Sequence, residues 1–152
     1  MEINRQAPVL ATAEIDIEAP LALVWEVLSD IRGWPTWNPS VSTVSVLGEF
    51  EPGMEFHWKI DGATIVSTLQ EIEPRRRLLW TGRIPFIRAT HLWLFEELDG
   101  RTRVKNEESF EGLMARLLCG PLNRMLGASL AQGLESLKRE CERRQRTVAS
   151  AV

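Results

Sequence analysis

Two ionisable side chains in the second half of the chain, His91 and Glu108, could carry out acid–base chemistry. Trp80 and Trp93 lie on neighbouring predicted strands, and burial of a carboxyl group among such rings would raise its pKa. An imidazole within reach could share the proton of that carboxyl group, which gives an acid/base pair poised near neutral pH. His91 and Glu108 are therefore the candidate catalytic residues, with Asn106 as a polar neighbour.

Three roles are open for His91, Asn106 and Glu108. They could provide general acid/base catalysis of an aldol-type cyclisation or a dehydration. They could instead be the few polar anchors that orient a mostly apolar ligand. The third role is structural, because a fully hydrogen-bonded buried network can specify a fold without any further function.

The positions of these side chains depend on the pleat of their strands, since alternate residues of a strand face opposite sides of the sheet. In residues 90–98 both rows are apolar, so the alternation does not decide whether His91 or Leu92 faces inward. In the last strand one row is mostly charged and is predicted to be solvated: Arg101, Arg103, Lys105, Glu107 and Ser109. The opposite row is predicted to face inward: Thr102, Val104, Asn106, Glu108 and Phe110.

Alternation also assigns the inner rows of two further strands. In residues 77–84 the inner row is Leu78, Trp80 and Gly82. In residues 54–60 the inner row is Met54, Phe56, Trp58 and Ile60, which leaves His57 in the solvated row as a surface residue.

Residues 41–110 are predicted to form an antiparallel meander. Asp61-Gly62 and Asp99-Gly100 are its strongest hairpin turns, because Asp-Gly favours the type I′ conformation. A further strand at 12–18 brings the sheet to about seven members. The segments that alternate with period two, separated by proline and glycine turn signals, are 41–47, 54–60, 63–72, 77–84, 90–98 and 102–110.

A short helical pair is predicted between the first two strands. Pro20 suits the first turn of a helix, and the residues from Leu21 to Leu28 place apolar side chains at helical spacing. The segment ends at Gly33. The following stretch, GWPTWNP, is predicted to be a turn or a second short helix fixed by its aromatic residues.

The last element is a helix over residues 121–146. Ser129 and Gly133 lie within its apolar stripe, and a glycine inside a helix costs about 1 kcal/mol relative to alanine. These small residues either let the helix pack closely on a strand or leave room for a ligand between helix and sheet. The stripe itself is Leu122, Leu126, Leu130, Leu134, Leu137 and Cys141.

Other groups are predicted to have no catalytic role. Cys119 is expected to pack at the junction before the last helix and Cys141 to end its apolar stripe, and neither has a base at a recognisable spacing. Neither a metal nor a cofactor is predicted, because the chain has no phosphate-binding glycine loop and no His/Cys ligand set. A basic cluster in the final turns is predicted to be solvated and to complement the helix dipole: Lys138, Arg139, Arg143, Arg144 and Arg146.

The composition is that of an ordinary globular protein. The 152 residues are enough for one domain, and a net charge of -3 does not favour binding to nucleic acid. No secretory signal or membrane-spanning run is found, and two cysteines outside any redox motif are typical of a cytoplasmic protein. Residues 1–10 and 147–152 are expected to be frayed.

The order of these elements and several motifs resemble the START-like (SRPBCC) superfamily, which includes polyketide cyclases and dehydrases as well as lipid-transfer domains. The motifs are Val24-Trp25 with Asp30, the Trp37-Asn38-Pro39 turn, and the run from His91 to Gly112. The resemblance covers residues 11–146. It implies an α+β helix-grip fold, in which a seven-stranded curved antiparallel sheet wraps around a long C-terminal helix and two short helices lie between strands 1 and 2.

The resemblance also has implications for the site. In cyclase-like members a histidine opens the sixth strand, and a polar residue, a glutamate and a phenylalanine alternate along the seventh. Those positions match His91, Asn106, Glu108 and Phe110 here. The resemblance therefore implies that the row containing His91, Trp93 and Phe95 faces inward, towards an apolar cavity.

The implied function is binding of a small hydrophobic or aromatic molecule, lipid-like or polyketide-like, and the alternative is a cyclase or dehydrase that uses Glu108 and His91. The implied partner is thus a small hydrophobic molecule, without nucleic acid and without stable membrane insertion, for a monomer or homodimer. The residues predicted to bind the ligand are Phe56, Trp58, Trp80, His91, Trp93, Asn106, Glu108, Phe110, Leu126, Ser129, Leu130 and Gly133.

Overall fold

A seven-stranded antiparallel sheet curves around a long C-terminal helix in the computed structural model, which describes residues 1–151. The sheet order is β1-β7-β6-β5-β4-β3-β2, so the first strand lies beside the last. This is the helix-grip α+β fold that the sequence predicted. The strands are β1 (Val9–Ile17), β2 (Val41–Leu47), β3 (Glu55–Ile60), β4 (Ala63–Glu73), β5 (Arg77–Ile84), β6 (Ile87–Leu98) and β7 (Arg101–Glu111). The helices are α1 (Leu21–Ser29), α2 (Trp34–Trp37), α3 (Leu113–Leu117) and α4 (Cys119–Ser150), with a 3-10 turn at Ile31–Gly33.

The two predicted Asp-Gly hairpins are confirmed. Asp61 and Gly62 have φ angles of 47° and 84°, and Asp99 and Gly100 have φ angles of 47° and 82°. Positive φ at both loop residues is the type I′ geometry, whose twist matches that of the flanking strands. These turns fix the register of β3 with β4 and of β6 with β7.

The C-terminal helix is longer than predicted, because α4 begins at Cys119 and continues to Ser150. Its apolar stripe packs against the sheet and α1: Leu126, Leu130, Leu134, Leu137 and Cys141 are buried. Cys119 does not pack at a junction as predicted. It is exposed, because it is the first residue of α4 and its side chain lies on the solvent side of the helix. The short helix α3 was not predicted.

The N-terminal segment covers part of the outer face of the sheet. Ile3 is buried and packs with Leu79 and Leu92, so the prediction that residues 1–10 are frayed is wrong. Because the outer face of the sheet is covered here, Glu107 and Ser109 are buried rather than solvated as predicted. The carboxylate of Glu107 forms ion pairs with Arg5 at 2.6 Å and with Lys105 at 2.7 Å, so its charge is paired where it is buried. At the other terminus residues 147–150 belong to α4, and residue 152 lies outside the described residues.

The inner face of the sheet has the predicted rows. His91, Trp93 and Phe95 are buried on the inner side, whereas Leu92 packs under the N-terminal segment on the outer side. His57 lies in the outer row, where its Nε2 atom is 2.6 Å from Glu55 Oε1. None of the helices within residues 1–151 is both long and apolar enough to cross a bilayer.

Candidate functional site

A cavity of about 190 Å³ lies between the inner face of the sheet and α4. It is slightly larger than an apolar protein cavity of about 150 Å³ that binds benzene. Its walls are mostly apolar, which suits a small hydrophobic or aromatic occupant. Apart from the predicted ligand-binding residues, the cavity is lined by Leu28, Trp34, Trp37, Asn38, Val41, Ile60, Asp61, Ala63, Ile65, Ile84, Ile87, Leu122 and Met125.

All but one of the predicted ligand-binding residues line this cavity. The exception is Phe56, which is fully buried behind the cavity wall. Its ring packs edge-on against Trp34 at 5.7 Å and against Trp80 at 5.8 Å, so it supports the wall without reaching the cavity. The alternation placed Phe56 on the correct face of β3 but could not show that Trp34 covers it.

The two small residues of α4 lie at the cavity. Ser129 and Gly133 both line it, and a Cβ atom added to Gly133 would have no heavy atom within 4 Å beyond its own helix backbone. Close packing on a strand is therefore not the reason for this glycine. The absence of a side chain at position 133 leaves empty space beside the sheet.

Stacked aromatic rings form the wall opposite α4. Trp80 and Trp93 have ring centroids 6.3 Å apart with 30° between their planes, and His91 stacks on Trp93 at 5.5 Å and 19°. Rings that stack in this way hold each other in fixed orientations. The ring of His91, which lines the cavity, is thereby held in a defined orientation.

The polar groups come from adjacent strands. His91 on β6 is directly opposite Glu108 on β7, and Trp93 is opposite Asn106. The Nε2 atom of His91 is 2.6 Å from Asn106 Oδ1, which assigns the ring proton to Nε2 because the amide oxygen can only accept. The other ring nitrogen, Nδ1, is 3.5 Å from Glu108 Oε2 and has no hydrogen-bond partner. Nδ1 is therefore a free acceptor beside the Glu108 carboxyl group.

Burial makes both ionisable groups neutral. It raises the pKa of the Glu108 carboxyl group to about 8. It lowers the pKa of the His91 imidazole to about 3, and the hydrogen bond with Asn106 opposes this shift only in part. At pH 7 the site holds a protonated carboxyl group next to a neutral imidazole, and His91 Nδ1 has no hydrogen-bond partner, so the fully hydrogen-bonded network considered from the sequence is not complete.

Two indole N–H groups at the cavity lack acceptors. Trp37 Nε1 and Trp93 Nε1 are buried without hydrogen-bond partners. Two other tryptophans of the wall are satisfied, since Trp34 donates to the Leu28 carbonyl oxygen at 2.8 Å and Trp58 donates to Ser67 Oγ at 3.0 Å. Buried donors without acceptors are uncommon in folded proteins, and both of these belong to side chains that line the cavity.

The α2 segment closes one side of the cavity, which the ligand-binding prediction omitted. Its Trp34 and Trp37 line the cavity, and Asn38 Oδ1 accepts a hydrogen bond from Gln132 of α4 at 3.3 Å. This contact connects α2 to the helix opposite. The only sequence feature that could have indicated this position is the pair of tryptophans in the GWPTWNP stretch. The stretch is too irregular for its periodicity to show which side faces the core.

The remaining candidate groups lie away from the cavity. Burial raises the pKa of the Cys141 thiol to about 12, so this cysteine is not a nucleophile at neutral pH. In the basic cluster of α4, Arg143 and Arg144 both bind Glu140, and Lys138 donates to the Asp16 carbonyl oxygen at 2.7 Å.

Comparison with known proteins identifies the family. Residues 8–142 match the family described as polyketide cyclase / dehydrase and lipid transport, and the chain belongs to this family. No curated protein matches the chain.

Solved structures share the fold at low sequence identity. A hypothetical protein of Helicobacter pylori is 19% identical with a TM-score of 0.83, and 91% of each chain is covered. An aromatase/cyclase from Streptomyces sp. R1128 is 24% identical with a TM-score of 0.75, covering 91% of this chain and 96% of that one. A START superfamily protein of Mycobacterium smegmatis is 12% identical with a TM-score of 0.70, covering 88% and 97%.

The buried carboxyl group predicts a pH dependence of stability. The folded-state pKa of Glu108 is raised from 4.5 to about 8, so between these values the folded protein holds a proton that the unfolded chain has released, and the free energy of unfolding falls as the pH rises. The lowered pKa of His91 has the opposite effect between pH 6.5 and about 3. Above pH 6.5 the opposing effect of His91 is over. The free energy of unfolding then falls because of Glu108 by up to about 1.4 kcal/mol per pH unit.

Glu108→Gln should remove this loss, because the amide does not ionise. Urea denaturation at several pH values between 6.5 and 8 measures the slope. The control is Glu97→Gln, which changes an exposed glutamate of β6 and should keep the wild-type slope. Equal slopes in wild type and Glu108→Gln would contradict a buried, protonated carboxyl group.

Proposed function

We propose that this protein binds a small, neutral, hydrophobic or aromatic molecule in the cavity between the sheet and α4. The observation that carries the proposal is a mostly apolar cavity lined by a protonated Glu108 carboxyl group and by a neutral His91 whose Nδ1 atom lacks a partner. Such a cavity favours a ligand that is mostly apolar and has a few hydrogen-bonding atoms. Family membership supports a role of this kind.

The polar groups narrow the chemistry of the ligand. Glu108 in its protonated form and the indole of Trp93 are donors, and His91 Nδ1 is an acceptor. No Lys or Arg lines the cavity within the described part of the chain, so an anionic group in the ligand would have no counter-ion there. A carbonyl or hydroxyl oxygen on an aromatic ring fits this set, whereas a carboxylate or phosphate does not.

The cavity reaches the surface at one end. Ala63 in the β3–β4 hairpin is exposed, and Met125 on α4 is 54% exposed, although both line the cavity. A ligand can therefore enter between this hairpin and the first turns of α4 without unfolding of the sheet.

Filling the cavity from α4 should weaken binding. Gly133→Leu places a side chain in the space beside Ser129 and should lower the affinity for 2-naphthol by at least about tenfold, because its volume competes with the ligand. Fluorescence titration of 2-naphthol measures the affinity. Binding by Gly133→Leu with wild-type affinity would contradict the proposed site.

Gly127→Leu provides a matched control. Gly127 is also a helical glycine of α4 with no heavy atom within 4 Å of an added Cβ atom, but it does not line the cavity. This variant should bind 2-naphthol as the wild type does. Comparison of the two melting temperatures separates loss of the site from loss of the fold.

A second candidate function is dehydration or cyclisation of a polyketide-like substrate. It is favoured by the separation of 3.5 Å between Glu108 Oε2 and His91 Nδ1, with pKa values on opposite sides of neutrality. A carboxyl group with a pKa of about 8 is a suitable general acid at neutral pH. An imidazole with a pKa of about 3 is a weak base, so protonation of a leaving hydroxyl group by Glu108 is the more favourable step.

The enzymatic alternative predicts a characteristic pH profile. With a linear poly-β-ketone that closes to an aromatic ring, kcat/KM followed by absorbance should be level at neutral pH and fall above about pH 8, as Glu108 loses its proton. Glu108→Gln should lower kcat by about 10²- to 10⁴-fold while retaining 2-naphthol binding. Unchanged turnover in this variant would contradict Glu108 as the general acid, and no turnover by the wild type would leave binding as the function.

A further inference from the structure

A group of exposed apolar side chains lies at the end of the molecule where β5 turns into β6 and α3 leads into α4. We call this group the apolar rim. Phe86 is 72% exposed, and the others are between 43% and 67% exposed. Side chains of this size rarely cluster on the surface of a monomeric protein unless they contact something. The apolar rim consists of Phe86, Leu113, Leu117, Leu118 and Met125.

The members of the apolar rim are close in space as well as exposed. A Cβ atom added to Gly112 would lie 2.4 Å from the carbonyl oxygen of Phe86, so the start of α3 is packed against the β5–β6 turn. Leu113 and Leu117 lie one turn apart on α3. Met125 on α4 lines the same cavity as Ile84 and Ile87, the residues that flank the turn.

Phe86 combines an unfavourable backbone conformation with an exposed aromatic ring. It has a φ angle of 63°, in the left-handed region that favours glycine and asparagine over bulky residues. Its ring buries little surface in return, since it is the most exposed large hydrophobic side chain of the rim. The folded monomer therefore gains neither backbone stability nor core packing from a phenylalanine at this position. A residue that violates both preferences is expected at a functional surface.

Arginines without acidic partners surround the apolar rim. Arg83, Arg88, Arg116 and Arg124 are exposed, and among the described residues none has a carboxylate oxygen within 4.0 Å. Arg83 and Arg88 even face each other across β5 and β6, where like charges repel. Glu111 is opposite Arg88 on β7 but forms no ion pair with it. This concentration of unpaired positive charge contrasts with the net charge of -3 of the whole chain.

We propose that the apolar rim and its arginines dock onto the surface of an anionic phospholipid bilayer. Apolar side chains that enter the headgroup region, flanked by arginines that contact lipid phosphates, are the combination that binds such surfaces. A second copy of this chain fits less well, because a symmetric contact through the rim would bring the arginines of the two copies together.

The docking surface adjoins the cavity. Met125 belongs to both, and Leu122, Ile84 and Ile87 line the cavity beside the rim. A docked molecule would thus hold one end of its cavity at the bilayer surface. The docking proposal does not rest on the ligand-binding proposal, because the rim is defined by exposure and charge alone.

Vesicle co-sedimentation tests the docking surface. The wild type should bind phosphatidylcholine vesicles containing phosphatidylserine more tightly than vesicles of phosphatidylcholine alone. The double variant Phe86→Asn/Leu117→Gln should lose about tenfold or more in affinity, because two apolar side chains no longer insert. It should fold at least as well as the wild type, since asparagine tolerates the backbone conformation at position 86.

Arginine variants test the charge component. Arg88→Gln and Arg116→Gln should each weaken binding to the anionic vesicles by about fivefold and leave binding to neutral vesicles unchanged. Leu47→Gln is the control, because Leu47 is 55% exposed on β2 at the far edge of the sheet and should not contribute.

Three results would overturn the proposal. The first is absence of wild-type binding to anionic vesicles, and the second is equal binding by the wild type and Phe86→Asn/Leu117→Gln. The third is that light scattering shows a dimer of the wild type, that the substitutions Phe86→Asn/Leu117→Gln dissociate this dimer, and that neither protein binds vesicles. Gly133→Leu should dock as the wild type does even though its cavity is filled, so failure of the ligand-binding proposal would be seen separately.

Discussion

The burial of Glu108 beside His91, with no cation in reach, is the constraint on which the site depends. Glu108 would be ionised in water at neutral pH but stays protonated here, because it is buried and no Lys or Arg lines the cavity within the described residues, and burial keeps His91 neutral beside it. Their neutrality makes the cavity suitable for uncharged ligands. It also leaves a carboxyl proton available at neutral pH, which explains why one arrangement is compatible with both binding and acid catalysis.

The cavity beside Glu108 and His91 lowers the stability of the fold relative to a filled core. Side chains around a cavity of about 190 Å³ make fewer packing contacts than they would in a filled core, which lowers stability. Gly133 adds about 1 kcal/mol relative to alanine, although the site would accept a methyl group without a clash. A sequence shaped for stability alone would have filled this space. The cavity is therefore better understood as a functional feature than as a packing defect.

Much of the fold, and the part of the cavity lining on β3, β5, β7 and α4 that the sequence predicted, could be inferred from periodicity. The alternation in β3, β5 and β7 identified the inner rows, because each of these strands has one polar face. In β6 both faces are buried, one under α4 and the other under the N-terminal segment, so only the resemblance to known proteins indicated that His91 faces inward. Burial of Glu107 was missed for the same reason, since a strand pattern does not reveal a second covering layer. The contribution of Trp34 was missed because α2 is too short to show a period.

The indole N–H groups give the most direct test of the central claim, that a neutral aromatic ligand occupies the cavity. In a ¹⁵N–¹H spectrum recorded during titration with 2-naphthol, the signals of Trp37 and Trp93 should shift, because their N–H groups are buried without acceptors at the cavity. The signals of Trp34 and Trp58 should change much less, because both N–H groups are already bonded within the protein. Saturable binding that leaves the Trp93 signal unchanged would contradict the account.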